Sequence, residues 1–176
     1  AGPATQTLAP MTAEGPGNGV VSVFTSTVPS TLGKSFRLSA SGLVQTTSAH
    51  MSRGRVERQE FSGVHSLIEL LQGISVSQAI SSSVPTNGVT AAAIVTKAEL
   101  SENPGAIARS TKYFEHPSGQ RGLLILDYDP EETVLSQEQL LGALKDICPA
   151  IAESGVVWWC SGSSLVYNKD EVVQGL

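Results

Sequence analysis

The sequence predicts a fold of the α+β class, with an α/β-like order of elements in its second half. Short runs of β-branched and apolar residues predict strands at 20–27, 35–39 and 43–47. Apolar residues at helical spacing predict helices at 61–71 and 135–148. From residue 123 onward the predicted order is strand, helix, strand, which is a unit on which a parallel or mixed sheet can be built.

Length and composition restrict the class of protein. The 176 residues fit one domain of ordinary size. Charged residues make up 15% of the chain and the net charge is -5, so bulk electrostatics do not favour nucleic-acid binding and any phosphate-binding surface must be local. No apolar run approaches the roughly 18 residues of a membrane span, and the start lacks the layout of a signal peptide, so we expect a soluble protein that has no membrane partner. Cys148 and Cys160 are predicted to be buried, reduced thiols, which favours a cytoplasmic compartment.

Composition divides the chain into two parts. Residues 1–19 are rich in Ala, Gly, Pro, Thr and Ser and lack apolar periodicity, so they are predicted to form a flexible leader. Residues 20–176 are predicted to belong to one domain. The chain begins at Ala1 rather than Met and ends just after a polar, charged stretch, from which we expect a fragment of a longer protein.

The first elements are predicted to form a short meander. The strand at 20–27 is followed by an alternating run at 35–39, a turn at Gly42 and a further strand at 43–47. Residues 50–60 carry three arginines and two glutamates. We expect this stretch to be a solvated loop or an edge strand with a face of mixed charge.

An amphipathic helix is predicted next. Its apolar residues lie at helical spacing over 61–71, Ser62 is the candidate N-cap, and Gly73 supplies the stop. Residues 76–81 are predicted to add a turn of helix, and residues 82–88 to form a loop.

The middle of the chain is predicted to be irregular apart from a small-residue strand or buried segment at 91–95. A loop or short helix is expected over 97–103. The segment 107–114 then precedes a turn at 117–119, and this turn leads into an apolar strand at 123–126.

The clearest helix signal lies over 135–148. Ser136 is its candidate N-cap, and Pro149 stands just past its end. The apolar run 155–160 is predicted to be a buried strand, which a serine-rich segment interrupts.

A pair of carboxylates after an apolar run is the main candidate for chemistry. Residues 122–126 lead into Asp127 and Asp129, and Pro130 follows at once. Successive side chains on a strand point to opposite faces, so the two aspartates would share one face. Two close carboxylates repel each other, and a divalent cation such as Mg²⁺ or Mn²⁺ relieves that repulsion. The alternative is a strand-end turn, in which Pro130 only stops the strand.

A second candidate is the serine run that follows the predicted strand at 155–160. It consists of Ser161, Ser163 and Ser164. Small hydroxyl residues around Gly162 let backbone N–H groups and serine oxygens approach a phosphate closely. With the two aspartates on a neighbouring strand, the run would form a site for a nucleoside triphosphate. The alternative is a turn without a function.

These segments together resemble the archaeo-eukaryotic primase superfamily, in particular its phage and plasmid primases. The resemblance rests on residues 107–114, 122–130 and 159–167 and on the helix between the last two, and it extends over roughly residues 20–176. It implies an RRM-like catalytic sheet with flanking helices, incomplete in this chain, beside an N-terminal β-rich portion. The chain would then be the N-terminal part of the catalytic region.

The resemblance also implies roles for individual residues. Asp127 and Asp129 match the first metal motif of the superfamily, so they would be catalytic residues and ligands of Mg²⁺ or Mn²⁺. The small-residue motif that contacts the incoming nucleotide matches Ser161, Ser163 and Ser164. Arg109 is a candidate to neutralise phosphate or the template backbone, and the alternative for it is an ordinary surface cation.

The implied activity is that of a primase or primase-polymerase in phage or plasmid replication. Such an enzyme transfers nucleotides from NTPs or dNTPs to a 3′-hydroxyl on a DNA template, and it depends on a metal. The implied partners are nucleoside triphosphates, a DNA template, and a replicative helicase or the remainder of the same polypeptide. The expected compartment is the cytoplasm of a bacterial host cell.

Two departures from the superfamily pattern keep an alternative open. The second motif is commonly S-x-H, and this chain has no histidine after His116. The third acidic residue of the superfamily has no convincing match before Leu176. The alternative is therefore a non-catalytic module that retains the fold and binds nucleic acid or a replication partner. A phosphatase with an aspartyl nucleophile fits less well, because the D-x-D pair lies late in the chain.

Overall fold

The fold is known from a computed structural model. The structure describes residues 18–40, 42–48, 50–119, 121–128, 134–159, 166–168 and 171–174. Within these residues it is a mixed α+β structure with antiparallel sheets and few helices, so the predicted α+β class is confirmed. No helix in the described part of the chain is long and apolar enough to cross a membrane.

The elements follow one another from Asn18 onward. The strands are β1 (Asn18–Val28), β2 (Gly33–Ser39), β3 (Gly42–Ser48), β4 (Arg53–Ser62), β5 (Gln78–Ser81), β6 (Val84–Pro85), β7 (Ala91–Ile94), β8 (Phe114–Glu115), β9 (Val166–Asn168) and β10 (Glu171–Gln174). The helices are α1 (Gly63–Gln72) and α2 (Gln137–Ile147), and two short 3₁₀ helices span Lys97–Glu102 and Pro149–Glu153. Because β1 begins at Asn18, its strand starts two residues earlier than the sequence predicts, and residues 1–17 of the expected leader lie outside the described residues.

A four-stranded antiparallel sheet in the order β5-β1-β4-β7 forms the centre of the fold. Strand β1 has strands on both sides, and most of its residues are buried on both faces. The core beside it contains Met51, Val56 and Ile94, all buried, with Phe24 and Phe114 packed against them. The predicted strand at 20–27 is thus confirmed as the most buried strand of the sheet.

Strand β4 lies between β1 and β7, so the prediction of a loop or edge strand at 50–60 is wrong. Its charged residues suggested an exposed edge. The backbone is nevertheless paired on both sides, and charged side chains such as Arg55, which pairs with Glu57 at 2.9 Å, remain exposed beside the buried Val56. A central strand tolerates such charges because only alternate side chains need to face the core.

The prediction of a helical turn at 76–81 is also wrong. Gln78–Ser81 is the edge strand β5, which pairs with β1 from Thr25 to Ser22. A segment this short gains more from completing the hydrogen bonds of β1 than from a single turn of helix, whose nucleation is unfavourable. The strands predicted at 35–39, 43–47 and 91–95 are confirmed as β2, β3 and β7. The short helix expected over 97–103 is confirmed as Lys97–Glu102.

Both predicted helices are present, and their ends follow local signals. In α2, Ser136 Oγ accepts a hydrogen bond from Gln139 N at 3.2 Å, and Gln139 Oε1 accepts one from Ser136 N at 2.9 Å. This capping box satisfies two backbone donors at the helix start. In α1, Ser62 is at the N-cap position but its side chain makes no capping bond, and Gly73 stands at the C-cap.

The strand–helix–strand unit predicted from residue 123 onward does not form. Neither 122–128 nor 155–159 has strand structure, and Leu124, Ile125 and Leu126 are 71%, 57% and 56% exposed. Just before the first run, Arg121 O accepts a hydrogen bond from Val20 N of the central sheet at 3.4 Å. Apolar composition cannot make a strand without a neighbour to pair its backbone, and no neighbour pairs with this run among the described residues.

Cys148 is an exposed free thiol at the end of α2, so the prediction that it is buried is wrong. The amphipathic pattern of α2 buries Leu141, and Cys148 follows the last turn on the exposed side of the chain. Cys160 lies outside the described residues.

Candidate functional site

The segment that carries Arg109 is held to the sheet at both ends. On one side, Ile107 N donates to Ala93 O at 2.9 Å and Val95 N donates to Ile107 O at 3.1 Å, which attaches the segment to β7. On the other side, strand β8 pairs with β6, and Tyr113 O accepts a hydrogen bond from Thr86 N at 2.9 Å. A loop fixed in this way presents its side chains from a rigid support.

Between these two attachments the chain makes a tight turn. Ser110 N donates to Ala108 O at 2.8 Å, and Tyr113 N donates to Ser110 O at 2.9 Å. Ala108 is buried, and it anchors the base of the turn. Arg109, Ser110 and Thr111 therefore project from a turn whose conformation is set by its own backbone hydrogen bonds.

This turn forms one wall of a cleft of about 440 Å³, which we call the Arg109 cleft. Its polar lining comprises Ser81, Ser83, Arg109, Ser110, Thr111 and His116, and its apolar lining comprises Phe24, Leu32, Met51, Ala79, Ile80 and Phe114. The rings of Phe24 and Phe114 lie 5.4 Å apart between centroids at an angle of 34°. The cleft combines an aromatic wall with a small set of polar groups, which is the usual composition of a small-molecule site.

The electrostatics of the Arg109 cleft favour an anion. Arg109 makes no hydrogen bond or ion pair with any residue that the structure describes, and none of the described lining residues is acidic. Arg109 also lines an adjoining cavity of about 140 Å³ together with Lys97. An arginine without a protein partner offers its planar set of N–H donors to a carboxylate or phosphate.

Near the smaller cavity, an ion pair fixes the only strongly perturbed carboxylate of the described residues. Glu99 accepts hydrogen bonds from the Arg53 guanidinium, including one from Nε at 2.9 Å, and from the Thr96 hydroxyl at 2.6 Å. Hydrogen bonds from Arg53, which have the largest effect, and from Thr96 lower the pKa of Glu99 to about 2. Because Glu99 is paired in this way, it does not neutralise Arg109.

Asp127 does not line the Arg109 cleft. It is exposed in the irregular segment 122–128. The neighbouring Tyr128 hydroxyl accepts a hydrogen bond from Leu135 N at 2.8 Å, which holds the residue after Asp127 close to the start of α2.

The structure describes only part of the predicted site. Asp129, Ser161, Ser163 and Ser164 lie outside the described residues, so their predicted meeting with Asp127 is not tested. Among the described residues, no group of three His, Cys, Asp or Glu side chains could hold a metal ion. Asp127 fits as one exposed oxygen ligand of Mg²⁺ or Mn²⁺, but a cation needs several such ligands, so the described residues alone do not form the metal site.

Several residues of the cleft have no sequence signal that connects them. Phe24 on β1, Ser81 on β5 and Phe114 on β8 are distant in sequence, and only the sheet pairing brings them to one place. A signal did exist for the Glu99 pair, because Thr96 and Glu99 have the T-x-x-E spacing of a capping box.

Comparison with known proteins gave no relatives for this chain: no family model, no curated protein and no solved structure matches it. The features that bear on function are therefore those of the chain itself. They are the D-x-D pair in the sequence, the hydrogen bond that ties Tyr128 to the start of α2, and the Arg109 cleft.

Proposed function

We propose that the chain is part of a primase or primase-polymerase that acts in phage or plasmid replication. It would transfer nucleotides from NTPs or dNTPs to a 3′-hydroxyl on a DNA template. The observation that carries the proposal is the sequence order of the pair Asp127 and Asp129, a capped helix, and the downstream serine run. Bacterial cytoplasm is the proposed compartment.

In the proposed reaction the 3′-hydroxyl oxygen forms a bond to the α-phosphorus of the nucleoside triphosphate, and its proton passes to solvent water. The bond from that phosphorus to the bridging oxygen breaks, and pyrophosphate leaves with the electron pair. Bound Mg²⁺ or Mn²⁺ would supply positive charge where negative charge develops on the attacking and leaving oxygens. Asp127 and Asp129 would provide the carboxylate oxygens that hold the metal ion.

The local structure around Asp127 supports this role. Its side chain is exposed, so a hydrated cation has access to it. The hydrogen bond between the Tyr128 hydroxyl and Leu135 N joins the residue after Asp127 to the start of α2. Ser161, Ser163 and Ser164 would contact the triphosphate oxygens through hydroxyl and backbone donors.

The RRM-like catalytic sheet belongs to the same proposal. In that arrangement, residues 123–126 would join a sheet, and the side chains of Leu124, Ile125 and Leu126 would become buried. Their exposure in the described structure supports a partner that covers them, and the remainder of the same polypeptide is the proposed one. A DNA template and a replicative helicase are the further partners proposed.

Calorimetric titration with Mn²⁺ and a nucleoside triphosphate tests the metal site. We expect binding by the unaltered chain and loss of metal-dependent binding in the double variant Asp127→Asn with Asp129→Asn. Asp146→Asn in α2 combined with Glu153→Gln, both at exposed positions, is the matched control, because it removes the same two negative charges outside the D-x-D pair. Equal binding by the double variant and the control would contradict the metal assignment.

A second candidate is a non-catalytic module that retains the fold and binds nucleic acid or a replication partner. The observation that favours it is the absence of a histidine after His116, where the superfamily's second motif commonly has one. Primer synthesis on single-stranded DNA separates the two candidates. Template-dependent product that disappears in the Asp127→Asn variant supports the enzyme, and template binding without product supports the module.

A further inference from the structure

We propose that the Arg109 cleft is a second ligand site, separate from Asp127, which binds a nucleoside monophosphate without a metal. The ligand class follows from the two halves of the lining. One half presents Arg109 with neighbouring hydroxyl groups, and the other presents the Phe24 and Phe114 rings. A phosphate attached to a planar aromatic base matches both halves.

The phosphate would lie against the turn. The guanidinium of Arg109 has no partner among the described residues, and the side-chain hydroxyls of Ser110 and Thr111 next to it make no hydrogen bond with the described residues. Arginine binds phosphate through two parallel N–H donors, and hydroxyl groups complete the shell of an oxyanion. The His116 imidazole, which also lines the cleft, adds a further ring N–H donor.

The base would lie against the aromatic wall. Phe24 and Phe114 are both partly buried in the core, so their rings are fixed rather than free to collapse into the cleft. Leu32 and Ile80 extend the apolar surface next to them. Flat heterocycles stack on such rings with little dependence on which base is present.

The size and support of the cleft agree with a ligand of this kind. Its volume of about 440 Å³ falls in the range of roughly 300 to 1,000 Å³ that small-molecule sites occupy. The turn is attached to β7 through Ile107 and to β6 through β8, so the arginine and the rings keep their relative positions before a ligand arrives. Such preorganisation lowers the entropic cost of binding.

The absence of a carboxylate in the described lining separates this site from the proposed metal site. A nucleotide bound next to Asp127 would need a divalent cation to offset repulsion between two anions. The Arg109 cleft presents the opposite charge, so its affinity does not require the cation. The inference therefore stands independently of the proposed nucleotidyl transfer.

The experiment is a calorimetric titration of the whole chain with AMP in EDTA. We expect saturable binding that weakens about ten- to a hundredfold in Arg109→Gln, as for loss of a charged hydrogen-bonding pair. Arg37→Gln on β2 is the matched control, because it removes one exposed positive charge outside the cleft. Equal affinities for the two variants would overturn the proposal.

Ligand analogues and a second variant complete the test. Ribose 5-phosphate and inorganic phosphate should bind at least about fivefold more weakly than AMP, because they lack the stacked base. Equal affinities for inorganic phosphate and AMP would refute the proposed stacking of the base on the aromatic wall. The variant Asp127→Asn with Asp129→Asn should bind AMP in EDTA as tightly as the unaltered chain, and loss of binding there would overturn the claim of a separate site.

Nuclear Overhauser contacts between the adenine protons and the Phe24 and Phe114 rings provide a measurement that needs no variant. We expect these contacts when AMP is bound to the unaltered chain. Binding of AMP without them would place the ligand elsewhere and overturn the assignment. If AMP binds in EDTA but the chain does not bind Mn²⁺ and a nucleoside triphosphate, the nucleotide site in the Arg109 cleft is supported and only the proposed nucleotidyl transfer is contradicted.

Discussion

Truncation of Ile94 measures how much the core beneath the Arg109 cleft contributes to stability. Ile94 is 2% exposed and belongs to the core with Met51 and Val56. Ile94→Ala removes three carbon atoms, and at about 0.8 kcal/mol for each buried methylene the transfer cost is about 2.4 kcal/mol. The cavity left behind adds to this cost, so we expect a loss of about 3 to 4 kcal/mol in the free energy of unfolding.

The assay is urea denaturation followed by far-ultraviolet circular dichroism, with the slope of the transition checked for each variant. Ile94→Val should cost about 1 kcal/mol, because it removes a single methylene. The matched control is Ile147→Ala at the end of α2, where the isoleucine is 82% exposed, and it should change stability by less than about 0.5 kcal/mol. Equal losses for Ile94→Ala and Ile147→Ala would show that the assignment of the core is wrong.

Three further predictions test the charge pair, the apolar run and the close approach of two strands. The pKa of Glu99 is lowered to about 2, so its contribution to stability is present above its ordinary pKa of 4.5 and is lost as the pH falls toward 2. Glu99→Gln should therefore flatten the dependence of the melting temperature on pH in that range. An unchanged pH profile would contradict the ion pair between Arg53 and Glu99. Leu124→Ser combined with Ile125→Ser should change the stability of this chain by less than about 1 kcal/mol, because both side chains are exposed, and a loss of several kcal/mol in denaturation would indicate a buried strand. Gly54→Ala should lower the free energy of unfolding by about 1 to 3 kcal/mol, because the added Cβ would collide with the backbone of β1. In the control Gly142→Ala in α2, the added Cβ meets no other atom, so this variant should be more stable by up to about 1 kcal/mol. The melting temperatures of the two variants should therefore move in opposite directions.

Local signals predicted the helices well. The cap at Ser136 and the stop at Pro149 set the bounds of α2, because capping hydrogen bonds join residues three positions apart. In α1 the N-cap and C-cap positions at Ser62 and Gly73 also agree with the sequence, although the Ser62 side chain makes no capping bond. Strand β1 was also predictable, since a strand with neighbours on both sides carries a nearly continuous apolar run.

Local signals failed where a distant partner decided the outcome. The apolar residues at 123–126 have the composition of a strand, yet the described structure leaves Leu124 exposed because nothing pairs with the run. The charged stretch at 50–60 has the composition of an edge, yet β4 is central because β7 pairs with its second side. The composition of a segment does not show which other segment will pair with its backbone.

The candidate sites divide in the same way. Arg109 was selected from its neighbours in the sequence, and the structure adds that it has no partner among the described residues and borders a cleft. Phe24, Phe114 and Ser81 could not be selected, because they come from three strands that are distant along the chain. The role of Asp127 and Asp129 stays a prediction from sequence.

The sequence by itself determined the α+β class, the helix ends and the residues worth testing for chemistry. These features depend on backbone and side-chain contacts between residues a few positions apart. Only the tertiary structure decided the strand order, the exposure of the run before Asp127 and the composition of the Arg109 cleft. Each of these depends on pairing and burial between distant segments, and a short stretch of sequence carries no information about the segment that will lie beside it.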